Sequence, residues 1–129
     1  MSASLSKPFH FLPESDLPDG FKYPSSYIEF VRQEPDAIVG PVNEDWCFID
    51  STQIENFRKY VRKVSRRPLV PFMRRNGDDG VACFLAESPH IEPNVWIAYV
   101  FQDVGVWPTS KTFSEWVSSI PPRDEDDDR

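Results

Sequence analysis

Apolar and polar positions alternate along the chain with two different periods, which divide it into three helical and four extended stretches. Starting at Ile54, apolar residues return at Phe57, Val61 and Val64, one side of a 3.6-residue period, while Arg58, Lys59, Arg62 and Lys63 occupy much of the rest. The preceding Thr52-Gln53-Ile54-Glu55 has the form of a capping box, in which hydroxyl and carboxylate satisfy amides at a helix start. The sequence therefore predicts a helix beginning there and stopped by Pro68. Thr112-Phe113-Ser114-Glu115 repeats the box ahead of a stripe formed by Phe113, Trp116, Val117 and Ile120, and Pro121 and Pro122 end that helix. A shorter helix is predicted from Pro24, suited to a first helical turn, to about Arg32, with Tyr27, Phe30 and Val31 facing inward.

Between the second and third helices the pattern becomes extended. Leu69 to Arg74, Val81 to Ala86 and Val95 to Phe101 are rich in β-branched and aromatic residues and are bounded by Gly, Pro, Asn or Asp, and Trp46 to Ile49 reads as a fourth strand. The link from Arg75 to Gly80 holds an Asn-Gly and an Asp-Gly pair, both suited to positive φ, so its flanking strands should form an antiparallel hairpin. Residues 1–20 and 34–43, rich in proline and charge, read as loops. The expected class is α+β, a single domain over residues 1–120 with a mainly antiparallel sheet, followed by an acidic, disordered tail over residues 121–129.

Composition agrees with one core. A chain of 129 residues matches one ordinary domain, and a hydrophobic fraction of 40% with ten Phe, four Trp and four Tyr supplies its apolar surface without covalent staples. Cys47 and Cys83 lie inside predicted strands and read as reduced, buried packing residues. No window approaches the apolar length of a membrane span, and residues 1–11 lack a charged start followed by an apolar stretch. A cytoplasmic protein with no membrane partner is expected.

Charge is unevenly spread. The net charge is −7, yet Arg58, Lys59, Arg62, Lys63, Arg66, Arg67, Arg74 and Arg75 crowd one segment that contains no acid. A dominant positive field, which phosphate binding needs, is absent, so nucleic acid is not expected as the main partner and a basic protein suits the chain better. The basic segment reads as a solvated helix face, because no aromatic residues alternate with its cations on the polar side.

Catalytic and metal-binding patterns are hard to find. Asp78 and Asp79 lack the alternate-position ladder and distal glutamate of a calcium loop, and their segment reads as a hairpin turn. Cys83 with His10 or His90 has no third orienting group or oxyanion loop around it. Phosphate loops, dinucleotide fingerprints and clustered His or Cys at metal spacing are missing, so no enzyme, cofactor or metal is expected.

The order of these motifs resembles the SUKH superfamily, the group that includes the fungal cell-wall assembly regulator and many bacterial immunity proteins. Leu17-Pro18 followed by Tyr27-Ile28-Glu29-Phe30-Val31 is similar to its opening. Leu69-Val70-Pro71-Phe72, then Asn76 to Gly80, then Val81-Ala82-Cys83-Phe84 resembles its strand, glycine-and-aspartate turn and strand. Thr112 to Val117 is similar to its closing helix, so the resemblance spans roughly Leu17 to Ile120. One departure is that Gln33-Glu34-Pro35 stands where the family usually has a Gly-Gly pair. The resemblance implies a non-enzymatic fold, a curved, mainly antiparallel sheet of about four to six strands backed by helices. In function it implies an intracellular antidote to a polymorphic toxin, often a nuclease, or else a regulatory scaffold. An acidic antidote suits the basic cleft of such a toxin. The expected contact residues are Glu44, Asp45, Asp50, Asp78, Asp79, Glu87 and Asp103, with Trp107 as an aromatic anchor in the loop between the last strand and the closing helix.

Overall fold

A computed structural model describes residues 11–18, 20–40, 45–50, 52–75, 80–87, 92–99 and 105–120. The chain is α+β. Six strands, β1 (Ile38–Val39), β2 (Trp46–Phe48), β3 (Leu69–Arg75), β4 (Gly80–Leu85), β5 (Val95–Tyr99) and β6 (Gly105–Pro108), pair in sequence order, every neighbour antiparallel. Three helices, α1 (Ser25–Gln33), α2 (Ile54–Val64) and α3 (Phe113–Ser119), pack on this sheet.

Cross-strand partners define its two faces, because side chains alternate along each strand. Phe84 pairs with Val70 and Val95, while Ala82 pairs with Met73 and Ile97. A register shift between Pro71 and Met73 bulges β3, and Phe72 stacks on Phe84 with ring centroids 4.2 Å apart. Onto that pair close Tyr27 from α1 (5.5 Å from Phe72) and Phe113 from α3 (5.7 Å from Phe72), while Trp116 lies edge-on to Trp46 of β2 at 5.2 Å. This aromatic layer is the main core, and it explains the inward spacing of Tyr27, Phe113 and Trp116.

The opposite face carries Val81, Cys83 and Ala98, all fully buried. Helix α2 contacts both β3 and β5, the two neighbours of β4. Burial from both sides accounts for the unbroken apolar run of β4, which has no solvent-facing alternation over Gly80 to Phe84.

Local signals hold at some ends and fail at others. The box at Thr112 is present: the Glu115 amide donates to Thr112 Oγ1 at 3.4 Å and the Thr112 amide donates to Glu115 Oε1 at 3.0 Å. The box expected at Thr52 does not form. Asp50 accepts the Thr52 amide at 3.0 Å and its hydroxyl at 3.1 Å, which turns the chain early, and α2 starts one residue later than that box would set it, behind Gln53 without a side-chain cap. Pro24 stands just outside α1 as its N-cap in extended conformation rather than within the first turn. Helix α2 stops at Val64, ahead of Pro68, because Ser65 is already extended.

Two strands escaped the sequence pattern. β1 lies in a stretch expected to be loop, and β6 occupies the segment expected to link the last strand to α3. Both are edge strands of two and four residues, too short to show a period. β3 and β4 pair as the expected hairpin, but its tip, residues 76–79, lies outside the described residues, as does the tail from Pro121. Among the described residues no helix is long and apolar enough to cross a membrane.

Candidate protein-binding surface

Edge strands end a sheet with a row of backbone groups that no further strand covers, and they need protection or a partner. β6 is such an edge, paired to β5 through Trp96↔Pro108, Ile97↔Trp107, Ala98↔Val106 and Tyr99↔Gly105. Trp107 therefore belongs to a strand and not to the loop expected for it. Its side chain is 60% exposed, the most open of the large apolar residues on the described surface, with Ile38 on the other edge strand at 47%. Just beyond it the chain is anchored: Thr109 Oγ1 donates to the Val95 carbonyl at 2.6 Å, and the Val95 amide donates to the Lys111 carbonyl at 2.9 Å. The indole is thus presented on a fixed backbone. An aromatic ring held in this way offers large contact area at little cost in side-chain ordering.

The acidic candidates separate into three groups. Asp45 is 4% exposed, so its carboxylate is not part of a solvent-facing rim, a correction to the expected contact set. It lies just ahead of β2, where the chain turns inward with Trp46. Asp50 is half-buried and holds the turn before α2 through Thr52. Glu87 is exposed and pairs with Arg67 Nη1 at 2.8 Å. Glu44, Asp78, Asp79 and Asp103 lie outside the described residues. Of the expected contact residues, Trp107 and Glu87 are the described ones whose side chains face solvent.

Cys83 is fully buried, its thiol donating to the Val81 carbonyl at 3.6 Å, and burial pushes its pKa up. A buried thiol of this kind stays protonated and packs. Cys47 is only half-buried, contrary to the expectation of full burial; burial raises its pKa, with Arg74 opposing. Both are free thiols.

A second surface feature was not anticipated. Residues 12–18, read from the sequence only as loop, face the C-terminal end of α2 and the start of β3 across a groove of about 630 Å3. Arg58, Arg62, Arg66 and Arg67 line it beside Leu12, Leu17 and Val61. The basic run was legible in the sequence, whereas its apolar counterpart comes from a segment more than forty residues earlier in the chain. No known family model, curated protein or solved structure matches this chain.

Proposed function

We propose that the chain is a non-enzymatic protein-binding module of the SUKH type, acting as an intracellular immunity protein that neutralises a basic, nucleic-acid-directed toxin. The observation that carries the binding reading is Trp107, exposed at 60% on an edge strand. Exposed aromatics on rigid elements are the residues that dominate protein interfaces, and an open strand edge accepts main-chain hydrogen bonds from a partner. The net charge of −7 supports a basic partner, steered to the surface by its field. The immunity assignment rests on the resemblance of the motif order from Leu17 to Ile120 and on that charge.

The test is a search of the gene's neighbourhood for a toxin, followed by association kinetics with its toxin domain at two ionic strengths. Protection and a saturable complex are expected. Trp107→Ala should shorten the lifetime of the complex by about thirtyfold, the effect of losing about 2 kcal/mol of hot-spot contact. Joint reversal of Asp78 and Asp79 to lysine should slow association and flatten its salt dependence. Absence of a complex with that toxin removes the immunity reading, and an unchanged lifetime for Trp107→Ala removes β6 from the interface.

A further inference from the structure

The groove beside α2 has a sign opposite to that of the molecule around it. Four arginines reach it, and two of them are already committed. Arg58 Nη1 pairs with Glu55 at 3.0 Å and with Asp16 Oδ2 at 3.9 Å, while Nη2 donates to the Asp16 carbonyl at 3.3 Å. It thereby fastens the 12–18 wall to the helix. Arg67 pairs with Glu87 at 2.8 Å and lies over the Trp96 ring at 5.2 Å. Arg62 and Arg66 remain: both are exposed, and neither has an ion pair or hydrogen bond among the described residues. Among the described residues, two guanidiniums therefore line the concavity without an acidic partner, together with Leu12, Leu17, Val61 and Val70.

We propose that this groove binds a small organic anion, an apolar body bearing a carboxylate or phosphate, with Arg62 and Arg66 as the recognising groups. Planar guanidinium forks match both oxyanions with paired hydrogen bonds, which a lysine point charge does not. The apolar part of the lining, Leu12, Leu17, Val61 and Val70, suits a hydrophobic body, and a volume of about 630 Å3 lies within the range of small-ligand sites. Cations near a helix C-terminus also favour the helix dipole, but Lys63 in the same last turn serves that purpose from outside the groove.

The experiment is a two-dimensional NMR titration of the full chain with octanoate, octyl phosphate and neutral octanol. Either anion should give saturable shifts confined to residues 12–18 and 58–71, and the stronger of the two identifies the oxyanion. Octanol should bind at least about tenfold more weakly. Arg62→Gln with Arg66→Gln should weaken anion binding by about tenfold or more. Lys59→Gln with Lys63→Gln, which removes the same charge from the same helix outside the groove, should change it by less than about twofold. The same spectra report that each variant is folded. Failure of both anions to shift the groove, equal binding of octanol, or equal losses in the two double variants would each overturn the proposal.

Discussion

Replacing Trp116 by alanine is the sharpest probe of the aromatic layer. The indole is 6% exposed and meets Trp46 at 5.2 Å, Phe72 at 5.6 Å and Phe113 at 6.4 Å. These contacts join β2, β3 and the interior of α3, so no single element can collapse to fill the space left behind. Large aromatic deletions at such sites cost about 3 to 5 kcal/mol, roughly a fifth or more of the ~5 to 15 kcal/mol typical of a whole domain. At about 2.1 cal/mol/K of unfolding entropy per residue, 129 residues lose roughly 4 °C of midpoint per kcal/mol. A fall of about 11 to 18 °C is therefore expected. Thermal unfolding followed by far-ultraviolet circular dichroism measures it without relying on the tryptophan signal. Trp107→Ala, the same chemical deletion at a 60% exposed site, should shift the midpoint by no more than about 2 °C. If Trp116→Ala moves the midpoint by less than about 3 °C, the indole does not seal the core and the packing of α3 described above is wrong.

The capping chemistry predicts an asymmetry: Thr112→Ala should cost about 1 kcal/mol in urea denaturation, whereas Thr52→Ala, outside any cap, should stay within about 0.5 kcal/mol. Equal costs would restore the box expected at Thr52. Tyr23 predicts an alkaline weakness. Burial, opposed by the Leu12 amide donating to its hydroxyl at 2.9 Å and by Arg58, pushes its pKa up to about 12 from 10.0. The folded state holds the phenolic proton more tightly than the unfolded one, so this contribution is complete below pH 10 and is lost as pH rises through about 12. Urea midpoints at pH 8, 10 and 11 should fall across that window, and less steeply in Tyr23→Phe; identical slopes for the two proteins would count against a buried phenol.

Helix periods, the Thr112 box and the hairpin flanking residues 76–79 were legible from the sequence because each depends on residues within a few positions of one another. Ile54, Phe57, Val61 and Val64 share a face through helix geometry alone, before anything packs on it. Tertiary structure decided the rest. β1 and β6 exist as strands because β2 and β5 supply their hydrogen-bond partners, and no local period marks segments of two and four residues. Trp107 therefore moved from an expected loop to a strand edge. At α2 two local signals competed for Thr52, and the Asp50 carboxylate won its amide and hydroxyl, which displaced the helix start. Asp45 looked like a surface acid in sequence, yet the strand that begins beside it carries it into the interior. The groove required the longest reach: Arg62 and Arg66 are close in sequence, but Leu12 and Leu17 join them through long-range contacts, among them Arg58 to Asp16 across 42 residues and the burial of Leu12 in the core. Contacts at that separation form when the core closes, and composition or periodicity alone does not specify them.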